Sequence, residues 1–448
     1  MDLVVAGAGG GLAGALRAAE LGLSVVVVEA SEHFRRGNNT SMSTAMFPGA
    51  GSRWQAEAGV DDSPERFVAD IMAKTKGQAD PRLARTLAEV SAPLVEWLAD
   101  SAGLPLSLVT DFNYPGHAVP RCHSIPGRHG SGVIDHLARR VAEHENIELL
   151  APAKLVDVLT GDGGVRAAVV RYPDGTEEEI PTGAVLLATN GFGADRELVA
   201  RHLPEIADAL YQGSDQSLGD ALRIGEKLGA AVGYLDAYQG HGAVAANAGT
   251  LVGWATIIHG AILVDTTGRR FGDETRGYSE YAAELAARPG ATGWIVLDET
   301  IFEQCQPFQD FRDTVASGAL VWADSAEELA AATGLRELAD ELAVAGAIAR
   351  GERTDSFGRT NWERPLSGRL AAVRVVPALF HTQGGLLVNE NAAVVDAQDR
   401  PIPGLYAAGG AAAGISGHGA AGYLPGNGLL PAFGLAYLAA NDVARRPA

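Results

Sequence analysis

MDLVVAGAGGGLAGALRAAELGLSVVVVEA, residues Met1 to Ala30, holds a complete βαβ unit. The apolar run Leu3-Val4-Val5 leads into a glycine-rich turn, an Ala/Leu-rich helix from about Leu12 to Leu21 follows, and Val25 to Val28 forms a second apolar run ending at Glu29. Strand, glycines, helix, strand and acid in this order read as a nucleotide-binding unit. The turn is small because a pyrophosphate must approach the backbone, and the helix N-terminus offers it free N–H groups and partial positive charge. Glu29, with Ala30 beside it, sits at the strand tip where a ribose would present its hydroxyls.

The glycines allow two registers. Gly7-x-Gly9 begins the usual pattern but puts Leu12 third, whereas Gly9-x-Gly11-x-x-Gly14 fits formally but comes late after the strand. Counting back 18 residues from Glu29 reaches Gly11, read as the glycine that lets helix and strand pack closely. The turn is then compressed.

The rest of the composition excludes several classes. A chain of 448 residues, 47% hydrophobic and 20% charged, is long enough for about two domains with a large core. A net charge of -20 repels nucleic acid and anionic membrane. The two cysteines, Cys122 and Cys305, belong to no CxxC or CxxCH pattern, which disfavours a disulfide scaffold, zinc, an iron–sulfur cluster and c-type haem. With a strand beginning at residue 2, no room for a signal peptide and no run of apolar residues of spanning length, the expectation is a cytoplasmic protein without a membrane span.

Along the chain, the polar segment His33 to Ser43 reads as a ligand-contacting loop. Ser63-Pro64 and Asp80-Pro81 are helix starts, with an N-cap followed by proline at the first helical position. Residues 109–130 lack periodicity and hold three histidines, a loop of functional character. Turn sequences at Gly161–Gly164 and Pro173–Gly175 predict a β-meander. The domain reading is a first part of a nucleotide-binding domain over 1–235, an inserted α+β domain over 236–381, and the second part over 382–448.

Taken together, these pieces resemble the flavoprotein family of succinate dehydrogenases and fumarate reductases. The resemblance covers nearly the whole chain. It rests on the N-terminal unit, GNNT-x-x-S (Gly37 to Ser43), DSPERF (Asp62 to Phe67), Ala188-Thr189-x-Gly191-Phe192, Gly219-Asp220 and GAILVDTTGRRF (Gly260 to Phe271). It continues in Asp355-x-Phe357-Gly358-Arg359, His381-Thr382-x-Gly384-Gly385, Pro403-Gly404-Leu405-Tyr406 and Gly426-Asn427. It implies an α/β fold: a Rossmann-like FAD-binding domain with a β-meander, an inserted capping domain, and substrate between them against the flavin. It also assigns the cofactor residues: Gly7, Gly9 and Gly11 at the pyrophosphate, Glu29 and Ala30 at the ribose, and Asn39, Thr40 and Ser43 toward the flavin. Thr189, Asn190, Gly409, Gly410, Gly426, Asn427, Gly428 and Leu429 complete the set, the last four bringing helix N-terminal amides to the pyrimidine end. Asp220 serves as cofactor contact or as N-cap. Members that attach FAD covalently use a histidine where this chain has Asn39, so non-covalent FAD is expected. Where the family has a glutamate after the Ala-Gly of the Pro-Gly-Leu-Tyr run, this chain has Gly410.

The departures bear on chemistry. Fumarate reductases clamp a dicarboxylate with arginines and a histidine, and an arginine seven residues after the phenylalanine of the turn delivers the proton. Seven residues after Phe271 this chain has Tyr278, with Arg276 two residues earlier; the second carboxylate-binding arginine corresponds to Tyr423; a Thr-Glu pair is replaced by Gly253-Trp254. Small dicarboxylates would be buried there without partners. Tyrosines at these positions resemble the 3-ketosteroid dehydrogenases of the same fold, and Asn113-Tyr114-Pro115 resembles a third tyrosine loop of that branch. The resemblance implies Tyr278, Tyr423, Tyr114 and His381 as catalytic candidates, His241, Trp254 and Gly426 at the substrate, and no metal. Arg276 is the proton donor if the turn is two residues shorter. The expected reaction is α,β-dehydrogenation of an apolar, cyclic ketone with a tyrosine base and an external electron acceptor or donor. An ene-reductase using Arg276 and a flavin-carrying non-catalytic subunit are the rivals.

Overall fold

Four consecutive valines, Val25–Val28, suit a strand covered on both faces, and they lie inside a parallel sheet. In the computed structural model, which describes Met1–Arg446, the order across this sheet is Ala393–Val395, Pro401–Ala407, Val185–Leu187, Leu3–Ala6, Val25–Val28 and Ile147–Leu150. All neighbours run parallel except the outermost pair, Ala393–Val395 and Pro401–Ala407. The fold is α/β, with a Rossmann-like portion bearing a β-meander and a second α+β portion.

The chain divides into two compact units. The first comprises Met1–Pro204, Gln212–Gln239 and the chain from Phe380 on; the second comprises Glu205–Tyr211 and Gly240–Leu379. The short segment Glu205–Tyr211, which the sequence reading left with the nucleotide-binding part, joins the second unit because Leu210 and Tyr211 pair with Ala378 and Leu379.

In the first unit, helix Gly10–Glu20 packs on the C-terminal helix Leu429–Arg445 through small residues: a Cβ at Gly10 would stand 2.2 Å from the Ala432 carbonyl oxygen. Ser63 and Asp80 cap helices Pro64–Lys74 and Pro81–Asp100 by accepting backbone N–H groups. Lys154–Gly161, Gly164–Arg171 and Glu177–Pro181 form the meander. The aperiodic loop conceals structure: Cys122–Ser124 within it and Ser107–Leu108 just before it join Phe47–Pro48 in a three-stranded sheet, strands too short to carry a period.

The second unit is built on a sheet in which Leu370–Thr382 is the central strand, flanked by Gly293–Asp298 and Leu320–Ala323. Ile262, Val264, Val296, Leu329, Leu338, Leu370 and Ala372 form its core. Among the described residues no helix is long and apolar enough to cross a membrane.

Candidate active site

The strand Leu3–Ala6 ends at Gly7, whose φ is +106° and whose Cβ, if present, would stand 2.3 Å from the Ala188 carbonyl oxygen. Only glycine meets both conditions. Gly7→Ala is therefore expected to leave soluble chain without flavin, read from the absorbance of the purified protein. The helix starts at Gly10, so Gly11 lies inside it, where a Cβ would stand 2.8 Å from Val5 Cγ1. Gly11 is thus a packing glycine at its α-carbon, while its N–H lies in the first turn of the helix, among the amides free for the pyrophosphate expected at Gly7, Gly9 and Gly11. Glu29 ties the turn to the second strand, Oε2 accepting the Ala8 N–H and Oε1 the Ser31 N–H, both at 2.8 Å. Burial pushes its pKa up against the lowering effect of those two N–H groups. Each oxygen keeps a second lone pair for a ribose hydroxyl, and Ala30 is half-buried beside it.

Around the expected flavin, several side chains are committed to the protein itself. Asn39 donates to the Phe380 carbonyl at 2.8 Å and accepts from Asn190 Nδ2 and the Ser214 N–H, both at 2.9 Å. Asn190 also donates to Ser217 Oγ, and its Oδ1 would collide with any Cβ at Gly410. The Ser43 hydroxyl donates to the Thr40 carbonyl at 2.7 Å, closing the loop. Thr40 Oγ1 lies 3.1 Å from the space above Gly9, and Gly409 adjoins Ala432 of the C-terminal helix. Asp220 is not the N-cap: Gly219 occupies that position in the left-handed region, and the Asp220 carboxylate is held by Arg223 at 2.5 Å and Lys154 at 3.0 Å. Both oxygens serve cations, and each keeps a second lone pair for the cofactor contact expected of this residue. Among the described residues, the buried polar atoms without a hydrogen-bond partner include Thr189 Oγ1 and Asn427 Oδ1, both on residues expected at the cofactor. A glycine turn with helix amides, a strand-end carboxylate and two orphaned acceptors together fit FAD.

The loop before the C-terminal helix carries the chemistry of this unit. Gly428 N–H donates to the Tyr423 hydroxyl at 3.2 Å, one residue before the helix begins at Leu429. Gly426, with φ +92°, approaches Pro48 closely. His381 faces Tyr423 edge-on with ring centroids 5.8 Å apart, and its Nε2 lies 3.0 Å from where a Gly428 side chain would begin. Burial pushes the His381 pKa down to about 4, so the ring is neutral. Tyr114 packs edge-on against Phe112 at 4.8 Å, and burial raises its pKa above the ordinary value, which keeps it a phenol.

The second unit contributes an aromatic group. Tyr278 is the first residue of helix Tyr278–Ala286 and stacks on His241 with centroids 4.8 Å apart and planes 18° from parallel. His241 accepts the Ala243 N–H through Nδ1 at 3.1 Å, and burial pushes its pKa down to about 3. Trp254 stands edge-on to His241 and donates its indole N–H to the Glu274 carbonyl at 3.1 Å. Glu274 is in turn gripped by Arg270 at 2.7 Å, within a fully buried group completed by Asp355 and Arg359. Arg276 is exposed and ion-paired with Glu280 on the next turn.

The chain as a whole has known relatives. Residues 2–429 match the FAD binding domain family. The chain belongs to this family of FAD-dependent oxidoreductases. It is 30% identical to a probable fumarate reductase, Ifc3, of Shewanella frigidimarina over 428 residues, covering 93% of this chain and 70% of the relative. An open-conformation flavocytochrome c3 fumarate reductase superposes with TM-score 0.81 at 28% identity, covering 99% of this chain and 78% of that one. A 3-ketosteroid Δ4-(5α)-dehydrogenase from Rhodococcus jostii shares the fold with TM-score 0.77 at 23% identity, covering 99% and 97%.

In this flavoprotein, sequence reasoning missed the support behind the C-terminal loop. His117 Nε2 donates to the Pro425 carbonyl at 2.9 Å, because Arg121 Nη1 donates to its Nδ1 at 3.0 Å. Arg121 is fully buried, forked onto Asp62 at 2.8 Å and joined to Asp70 at 2.7 Å. A lone arginine among apolar residues in Val119-Pro120-Arg121-Cys122 was the available signal.

Burial also makes the flavoprotein acid-sensitive. His117, His123 and His241 are buried with pKa values of about 4, 4 and 3, against 6.5 when unfolded. The unfolded chain binds their protons first, so stability is complete above pH 6.5 and declines as pH falls toward 4. Each such histidine contributes a slope of about 1.4 kcal/mol per pH unit inside that window. Urea midpoints should fall between pH 7 and 5; equal midpoints would contradict the neutral assignment.

Proposed function

We propose that this flavoprotein interconverts a saturated and an α,β-unsaturated carbonyl compound at a carbon–carbon bond, with an apolar, cyclic ketone as preferred substrate. The observation that carries the reading is the neutrality of the groups expected at the substrate. His381 and His241 are both uncharged, and a phenol stands in the loop before the C-terminal helix. A dicarboxylate would bring two charges to groups that can offer it hydrogen bonds but no compensating cation. A ketone needs only the hydrogen bonds.

FAD, when bound, would supply the two-electron acceptor for a hydride from the carbon β to the carbonyl. The protein's own groups handle the accompanying α proton and the oxygen. Tyr278 is proposed as the base, its position at a helix N-terminus favouring the phenolate. Tyr423 and His381 are proposed as donors to the carbonyl oxygen, which gains negative charge as the α proton leaves. Tyr114, held as a phenol by burial, suits a donor and not a base. Arg276 is the weaker proton donor for a reductase, since it is exposed and its guanidinium is engaged by Glu280. In the reverse direction the same tyrosine would return the proton, and an external electron carrier closes the cycle.

FAD is proposed to be held without a covalent bond, because the Asn39 amide, in the position of the linking histidine, is locked by three hydrogen bonds. Acid precipitation should then release all the flavin into the supernatant, whereas flavin remaining with the pellet would refute this. The substrate reading is tested anaerobically: a cyclic ketone should bleach the flavin, succinate should not, and fumarate should not reoxidise the reduced enzyme. Tyr278→Phe should keep its flavin and slow bleaching by about two orders of magnitude or more. Rapid turnover of either dicarboxylate would overturn the proposal.

A further inference from the structure

Two residues beyond His381, just past the end of strand Leu370–Thr382, Gln383 directs its amide nitrogen at His381 Nδ1 across 3.0 Å, nearer than the Thr382 carbonyl oxygen, which stands 3.4 Å from the same nitrogen and would favour a proton on it. The other end of the amide, Oε1, accepts the Ser416 hydroxyl at 2.9 Å, and Ser416 Oγ accepts Nδ2–H of Asn427 at 3.3 Å. Gln383, Ser416 and Asn427 are all buried. The Gln383 backbone is pinned as well, its N–H donating to Ala237 at 2.7 Å and its carbonyl accepting from Gly414 at 2.8 Å. The far end of the row, Asn427 Oδ1, has no partner and lies in the loop assigned to the cofactor.

The polarity of this row is consistent from end to end: amide N–H to hydroxyl oxygen, hydroxyl to amide oxygen, amide N–H to imidazole nitrogen. A neutral imidazole that accepts at Nδ1 carries its proton on Nε2. We propose that Gln383, braced by Ser416 and Asn427, is a positioning residue that fixes His381 as the Nε2–H tautomer. The imidazole is then a neutral hydrogen-bond donor to the carbonyl oxygen and is unable to act as a base there. The assignment of that oxygen as the acceptor rests on the ketone reading above, whereas the tautomer does not.

The experiment is a long-range proton–nitrogen correlation spectrum of the flavin-loaded protein, labelled with 15N at histidine, near neutral pH, with His381→Gln identifying the signal. The expected result is an unprotonated Nδ1 and a protonated Nε2; the reverse pattern, or an average of the two, overturns the proposal. Gln383→Glu presents only acceptors to Nδ1, so the two nitrogen signals should exchange character, with flavin content unchanged and kcat/KM for the ketone reduced about tenfold or more. Should that variant lose its flavin, Gln383→Met, which offers no donor, should give averaged signals, and a retained Nε2–H pattern there would equally overturn the role of Gln383. If the tautomer is as expected but no ketone reacts, the positioning role stands and the substrate reading falls.

Discussion

Tyr423→Phe is expected to retain FAD and the fold while lowering the rate of flavin reduction by a cyclic ketone about 10²–10³-fold, the usual cost of removing one donor to a developing oxyanion. The hydroxyl is positioned by the Gly428 N–H at 3.2 Å, and the ring stands edge-on to His381. Removing one oxygen leaves that ring contact in place but takes away the donor whose interaction strengthens as the carbonyl becomes an enolate. The loss should therefore appear in kcat and in kcat/KM together, with little change in ketone binding. Rapid-mixing measurements of flavin bleaching separate these quantities. A variant with weakened binding and an unchanged limiting rate would move Tyr423 from the chemistry to simple contact.

Arg121→Met should destabilise the first unit by about 3–5 kcal/mol, the penalty for breaking a buried ion pair from one side. Arg121 is completely buried and neutralises Asp62, itself completely buried, with Asp70 on its second nitrogen. Its guanidinium also lies over the Phe67 ring at 4.4 Å. Methionine preserves much of the volume and leaves two carboxylates without a cation. His117 would at the same time lose the donor that fixes its tautomer, and with it the reason for its Nε2–H to hold the Pro425 carbonyl. Urea unfolding should therefore show a lower midpoint, and the flavin should dissociate more readily as the loop from Tyr423 to Gly428 loosens. A loss below about 1 kcal/mol would mean that the site takes in water and that the pair is worth no more than a surface one.

Much of the nucleotide-binding half was legible because its signals are local. A run of four valines, a three-residue turn and an acid at a strand tip are adjacent in the chain and obey fixed spacings. Even there, the register of the glycines was ambiguous. Gly11 was read as a packing glycine and also counted at the pyrophosphate; the approach of Val5 Cγ1 to its Cβ position bears out the first role, and its first-turn N–H is compatible with the second. Asp220 shows a different failure. A carboxylate at a helix start looks like a cap in sequence, yet Gly219 takes that place and Lys154, from a distant strand, takes the charge. The short strands Ser107–Leu108, just before residues 109–130, and Cys122–Ser124, within them, escaped because two or three residues carry no period.

By itself the sequence determined the βαβ unit, the helix caps, the meander, the family resemblance and the presence of phenols where arginines would be expected, all properties of residues close together in the chain. Only the tertiary structure decided which groups carry charge and which carry protons. Hydrogen bonds from Ser416 and Asn427 brace the Gln383 amide beside His381, and burial made the histidines neutral and kept Tyr114 a phenol. Arg121 likewise became the buried cation between two acids because chain segments 51 and 59 residues apart meet around it. Desolvation and hydrogen-bond direction depend on what surrounds an atom in space, and no spacing along the chain encodes them.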